Sequence, residues 1–307
     1  PGLESVVFDA VEMRVGGITL EGAGTLDYES DGGRLRVRLP APAQPGERFT
    51  IRIAYRATPR RGLYFIGPDE AYPDKPQQVW SQGQDEDSRH WFPCLDYPHQ
   101  KATSEVVATV PQELFALSNG ALVETTQDHG RGTKTYHWRL DVPHSCYLVT
   151  LAAGDFAEIE ERGGGVPVVY YVQRGREEEA RRTLGRTPDM VAFFSERLGV
   201  PYPYNRYAQV FVGDFIFGGM ENTTATTLTD TVLYDERAAL DYNVDSLVAH
   251  ELAHQWFGDL LTCADWSHGW LNEGFATYFD ALYREHHLGD DEFRYWLQGV
   301  AETYFAE

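Results

Sequence analysis

The chain has 307 residues, 42% hydrophobic and 13% aromatic, enough for sizeable cores in about two domains. Its formal net charge of -21, from 26 basic and 47 acidic residues, argues against nucleic acid and anionic membrane surfaces as partners. The charge is compatible with a cationic ligand such as a free amine, although most of it serves solubility. No apolar run reaches the ~18–20 residues needed to cross a bilayer. No signal peptide is visible from Pro1 onward, so the compartment is undetermined, with a cytoplasmic location slightly favoured. Cys94, Cys146 and Cys263 lie far apart without C-x-x-C spacing. They read as small apolar residues, with neither a disulfide framework nor a cysteine metal site indicated.

From the start to about residue 154 the hydrophobic period is two. Val11, Met13 and Val15 alternate with Glu12 and Arg14, and Leu35, Val37 and Leu39 with arginines at 34, 36 and 38. Ile51, Ile53 and Tyr55 continue the pattern, which predicts antiparallel strands with one wet face. Gly16-Gly17, Gly32-Gly33 and Pro45-Gly46 are the expected turns. Further strands are expected at Glu105–Val110, Thr133–Leu140 and Tyr147–Ala152. Residues 80–101, WSQGQDEDSRHWFPCLDYPHQK, break the pattern. A long polar and aromatic loop of this kind is a functional segment or a pinned surface loop, and composition alone does not choose between them.

Beyond Gly154 the texture changes. A strand at Val166–Val172 precedes a charged helical stretch over Arg176–Leu198, interrupted near Gly185 and Pro188 and ended by Gly199. Tyr207–Val212 reads as a short apolar strand. Phe217-Gly218-Gly219-Met220-Glu221-Asn222 follows, and its paired glycines allow another backbone to approach closely or mark an ordinary bulge. A helix is expected over Asp241–Gly258 and a second from near Trp270, carrying Glu273 in its first turn. His286 and His287 fall in the last turn of that second helix, where a cation suits the dipole. Gly289 reads as its C-cap and Asp290 as the N-cap of a third helix.

The first of these helices contains His250-Glu251-Leu252-Ala253-His254. Residues at i and i+4 leave the same helix face, so the two imidazoles converge. Glu251 reaches a water between them without being a ligand. This is the H-E-x-x-H arrangement of a zinc hydrolase, and catalytic zinc takes three protein ligands and one open position. Glu273, eighteen residues beyond His254, is the expected third ligand. The pattern also arises by chance on solvated helices, but Leu247, Val248, Leu252, Trp256 and Phe257 mark a buried helix here. Burying two histidines and a glutamate there without a partner is costly.

Together the residues resemble the gluzincin zinc aminopeptidases, the family that includes aminopeptidase N, alanyl aminopeptidase and leukotriene hydrolase. The resemblance rests on Gly218-Gly219-Met220-Glu221-Asn222, on His250-Glu251-x-x-His254 with its spacing to Glu273, and on Trp270-Leu271-Asn272-Glu273-Gly274. Gln82-Gly83-Gln84 through Arg89, Pro93-Cys94 and Asp96 adds a fourth match. It implies an α+β multidomain chain: an all-β saddle domain over 1–154, lacking its first strands, then an incomplete thermolysin-like α/β zinc domain over 155–307. It implies one zinc ion on His250, His254 and Glu273, with Glu251 as general base. Glu221 would grip the free α-amine of a peptide with help from Gln84. Gly218 and Gly219 would pair with the substrate backbone, and Met220 would stand beside the first side-chain pocket.

The expected activity is removal of N-terminal residues from peptides, with no membrane segment and no nucleic acid involved. A non-catalytic scaffold on the same fold and a thermolysin-type endopeptidase are the alternatives. The family's transition-state tyrosine lies several dozen residues beyond the third ligand, whereas 34 residues follow Glu273 here. Tyr278, Tyr283, Tyr295 and Tyr304 are too close to match it. The chain is therefore expected to be a fragment with low or no activity of its own, since loss of one oxyanion donor costs ~100–1,000-fold in rate.

Overall fold

In a computed structural model, which describes residues 2–306, six strands open the chain. They are β1 (Leu3–Asp9), β2 (Arg14–Leu20), β3 (Gly24–Thr25), β4 (Tyr28–Ser30), β5 (Arg34–Ala43) and β6 (Ile51–Arg56). They pair into two antiparallel sheets, β1-β5-β4 and β3-β2-β6. On β5 the alternation acts as expected. Leu35 and Val37 are buried while the arginines between them face water. With Ala10, Ile18 and Leu26 they close a small separate core.

Two expectations shift here. Residues 10–13 form the turn between β1 and β2, with Glu12 in the left-handed region at φ 54°, so Val11 to Val15 is not one strand. Gly16 and Gly17 lie inside β2, where the register against β6 slips between Val15 and Gly17. They serve a bulge instead of a turn.

Seven further strands follow: β7 (Leu63–Ile66), β8 (Gln78–Ser81), β9 (Lys101–Pro111), β10 (Phe115–Ser118), β11 (Ala121–Asp128), β12 (Thr133–Ser145) and β13 (Leu151–Gly154). They build the sheets β10-β13-β8-β7 and β11-β12-β9. The strand expected at Tyr147–Ala152 begins later than predicted, because Cys146–Leu148 forms a 3-10 turn. All three cysteines are free, with Cys94 and Cys263 buried and Cys146 half-buried.

The loop between β8 and β9 is pinned by charge. Arg89 donates from Nε and from its backbone N–H to Asp96 Oδ2 at 3.0 and 3.1 Å, and it pairs with Glu86 at 2.7 Å. Asp96 in turn donates its backbone N–H to Asp9 Oδ2 at 3.2 Å. Asp9 and Cys94 exchange backbone hydrogen bonds, which ties the first sheets to this loop. Burial pushes the Asp96 carboxyl up to about 6 even beside Arg89.

The second half is built on a five-stranded sheet of order β14-β15-β16-β18-β17. Its strands are β14 (Phe156–Gly163), β15 (Val166–Gln173), β16 (Tyr207–Val212), β17 (Gly219–Met220) and β18 (Ala225–Thr229). β15, β16 and β18 are parallel. The crossover from β15 to β16 carries α1 (Glu177–Leu184) and α2 (Thr187–Leu198), which ends at Gly199 with φ 66°. Every residue of β16 is buried, as a central parallel strand requires.

Period two on β15 divides the interior. Val168, Tyr170 and Val172 join the core under the helices. Val169 and Tyr171 join a second core with Trp80, Leu117 and Trp138 from the preceding sheets and Leu148 from the 3-10 turn. The last helices are α3 (Asp245–Ala253), α4 (Trp270–Leu288) and α5 (Asp290–Ala306). α3 is shorter than the expected 241–258, because Ala238–Leu240 is a separate 3-10 turn and the chain reverses at Gly258. Asp290 is the first residue of α5 and not its cap. No described helix is long and apolar enough to cross a membrane.

Candidate metal centre and active site

His250 and Glu251 lie in the last turn of α3. His254 follows its last residue with helical dihedrals (φ -57°, ψ -26°), so the i, i+4 relation holds past the helix end. Their Nε2 atoms stand 3.0 Å apart. Glu273, in the first turn of α4, brings Oε2 to 3.3 Å from His250 Nε2 and 3.4 Å from His254 Nε2. A tetrahedral metal with bonds of ~2.0–2.1 Å separates its donors by about 3.3 Å, so two imidazoles and a carboxylate at these distances fit a zinc ion. The three form a group able to hold a metal.

The second nitrogen of His254 is already assigned. Its Nδ1 lies 2.9 Å from Phe257 O, which leaves Nε2 for a metal. Gly258 makes this possible. At φ 136° it turns the chain back, and a Cβ there would stand 3.1 Å from His254 Nδ1. Side-chain exposure is 1% at His254, 25% at His250 and 48% at Glu273, so the group opens to solvent on the Glu273 side.

The electrostatics favour positive charge. Burial pulls the His254 pKa down, but Glu221, Glu273 and Glu251 outweigh it and hold the group at about 10. Burial raises Glu273, yet hydrogen bonds from both histidines carry it well below the usual carboxylate range. Burial pushes Glu251 up to about 8, and Glu221 and Glu273 add to the rise. A field that favours a proton on His254 also favours a metal cation.

Glu251 is 6% exposed and lies against β17. A Cβ on Gly219 would stand 2.2 Å from Glu251 Oε1, so only glycine lets the strand pass this carboxylate. Gly218 has a different reason to be glycine, a φ of 83° with open space around it. Met220 is buried, and its Sδ accepts from Gln82 Nε2 at 3.2 Å. Gln84 is half-buried at the start of the 80–101 loop.

Glu221 follows β17, is 3% exposed, and has no partner for Oε1 among the described residues. Its backbone is fixed from the other side by Gln255, the residue after His254. Gln255 donates from Nε2 to Glu221 O at 2.9 Å, and its Oε1 accepts from Thr224 N and Tyr202 Oη, both at 2.9 Å. One fully buried amide thus spans the metal helix and the Glu221 turn. Asp259 is buried nearby with no partner for either carboxylate oxygen among the described residues.

Strand β9 and the turn between β10 and β11 support the same turns. Asn119 Nδ2 donates to Thr223 O at 2.7 Å, and Lys101 Nζ donates to Asp259 O at 2.9 Å and Leu260 O at 3.0 Å. Gln255 and Asp259 are polar residues that sequence reasoning did not single out, and Gln82 entered only as part of the Gln82-Gly83-Gln84 match. The one signal available is polar Gln255 between His254 and the apolar pair Trp256-Phe257. His286 and His287 stay away from the metal group, stacked on Phe193 and Tyr283. Tyr283 Oη donates to Asp189, while Tyr278, Tyr295 and Tyr304 are exposed.

The peptidase M1 N-terminal domain model matches residues 3–148, and the peptidase family M1 domain model matches residues 182–306. Aminopeptidase M1 of Arabidopsis thaliana is 35% identical over 235 residues, covering 75% of this chain and 26% of its own length. Aminopeptidase B of Rattus norvegicus is 31% identical over 255 residues, covering 83% and 37%. The chain thus spans well under half of the length of these relatives. An M1 zinc metallopeptidase of Deinococcus radiodurans, solved with a Tyr-Ser-Ala substrate, superposes with a TM-score of 0.80 at 27% identity. That superposition covers 99% of this chain and 67% of the other. With both domain models matching in tandem and the fold shared along the chain, this protein belongs to peptidase family M1, the gluzincin aminopeptidases.

Proposed function

We propose that this chain carries the amine-binding and metal-binding parts of a zinc aminopeptidase that removes the N-terminal residue from peptides. The observation that carries the reading is Glu221: a carboxylate 3% exposed, with an unpartnered oxygen, at the end of an edge strand that abuts Glu251. A buried anion without a donor is costly unless a ligand supplies the positive charge. The free α-ammonium of a peptide does so, and an acetylated terminus does not.

His250, His254 and Glu273 are the residues that would hold zinc, and Glu251 stands beside them without joining the donor set. A zinc ion bound there supplies Lewis acidity, lowering the pKa of a water from ~15.7 towards ~7 and polarising a carbonyl. Glu251 takes the proton of the attacking water and returns it to the leaving amine. Glu221 places the scissile bond one residue from the amine, and β17 offers its unpaired edge to the peptide backbone. Gln84 would assist at the amine end, while Gln82 holds Met220 through its Sδ. A boundary at residues 154 and 155 is supported by the change of sheet between β13 and β14.

The test is hydrolysis of a matched pair of fluorogenic aminoacyl amides by the full-length protein, one with a free amine and one acetylated. Cleavage of the free-amine member alone supports the reading. Cleavage of both points to an endopeptidase, and cleavage of neither points to a scaffold.

A further inference from the structure

A cavity of about 800 Å³ opens at the carboxyl ends of β16 and β18, where β17 begins. One wall is the turn from Gly213 to Gly218, and the facing wall is the connection from β7 to β8 at residues 71–76. Lys75 joins them, its Nζ lying 2.8 Å from Asp214 and 3.2 Å from Asp69. β17 pairs with β18 on one side only, so its other edge is free.

A peptide added antiparallel to that edge, its amine at Glu221, runs past Met220 and Gly219 to Gly218. At a rise of ~3.4 Å per residue, its third residue comes level with Gly218 and its fourth enters the cavity. The walls there are apolar and acidic. Tyr72 is 64% and Ile216 86% exposed, so apolar surface lines the cavity, and the Tyr72 ring already carries a cation, Lys75 Nζ, 5.0 Å from its centroid. Asp74 is exposed and has no ion-pair partner among the described residues. A lysine or arginine suits such walls, with its aliphatic stem along Ile216 and Tyr72 and its charge at Asp74.

We infer that this cavity binds the third and fourth residues of a peptide substrate and favours a basic side chain there. The inference rests on the aminopeptidase reading of the site. It extends that reading from the residue removed to the residues left behind.

The experiment compares the full-length protein on alanyl amide, Ala-Ala-Ala-Arg-Ala and Ala-Ala-Ala-Glu-Ala, which vary the residue that enters the cavity. The arginine peptide is expected to be cleaved with about fivefold higher kcat/KM than the glutamate peptide, the gain lying in KM, as befits one half-exposed charge pair. Asp74→Lys is expected to abolish or invert that ratio, and Asp74→Asn to leave an intermediate one. Amide cleavage with a peptide ratio near one overturns the inference and leaves the aminopeptidase reading standing. A ratio that survives Asp74→Lys also overturns it, because the preference then belongs to the overall charge of -21. Failure to cleave the amide removes the aminopeptidase reading and the inference together.

Discussion

Arg89, half-buried over two buried aspartates, and Glu221, itself buried, are charged groups with surroundings opposite in kind. Arg89 is ringed by acceptors: Asp96 accepts from its Nε and backbone N–H, Glu86 accepts from its Nη2, and Asp9 stands 4.0 Å from its Nη1. Around Glu221 the acceptors outnumber the donors. Glu221 Oε1, both oxygens of Asp259, Thr223 Oγ1 and Gln82 Oε1 have no hydrogen-bond partner among the described residues. Buried polar groups in proteins are normally satisfied, so the first cluster reads as structure and the second as a place for a ligand. The main difference lies in how many of the buried carboxylate oxygens have a donor, since both clusters bury carboxylates.

The largest expected effect is at the open cluster. Glu251→Gln keeps the shape of the side chain and removes the base, so kcat should fall by ~100–10,000-fold. Zinc content, measured on the purified variant by atomic absorption, should stay at one per chain because Glu251 is outside the donor set. Loss of zinc in this variant would make Glu251 a ligand and break the assignment.

The part of this cluster that was legible in the sequence is the part that is local. His250, Glu251 and His254 follow from helix geometry, and Glu273 follows from the spacing to the next helix and the need for a third ligand. What was not legible is long-range. Gln255 meets Glu221 across 34 positions and Gln82 meets Met220 across 138, and no periodicity encodes either contact. Gly219 was noted as a site of close approach, but the atom that approaches, Glu251 Oε1, is set by packing of α3 on the sheet. At the other end of the chain, the alternation of Val11, Met13 and Val15 runs straight through a turn. A period of two does not mark where a strand stops, and Glu12 with φ 54° does. The same holds for the 80–101 loop, whose composition left function and structure equally open. Its Arg89 and Asp96 are structural, while Gln82 at its start faces the site.

The closed cluster should answer differently. Arg89→Met retains most of the stem and removes the donors, stranding Asp96 and Asp9 inside the protein. Leaving one partner of a buried ion pair uncompensated costs ~3–5 kcal/mol, which urea unfolding would read directly as a lower midpoint at an unchanged slope. A loss below ~1 kcal/mol would mean that solvent reaches these carboxylates and that the cluster is an ordinary surface network.

Glu221→Gln gives the smallest effect, and its sign separates the two clusters. Removing the Arg89 charge from the closed cluster destabilises it, because the buried carboxylate of Asp96 loses the guanidinium that donates to it. Removing the charge at Glu221 relieves an anion that Oε1 leaves unpaired, while the backbone bond from Gln255 to Glu221 O is untouched. Stability of the ligand-free protein should therefore rise by about 1 kcal/mol, the trade expected where a site is kept ready for a charged ligand. The gain should be accompanied by loss of discrimination between free and acetylated amides. A variant that is less stable than the parent would show that Glu221 is satisfied by water or by a neighbouring donor, and the contrast with Arg89 would then disappear.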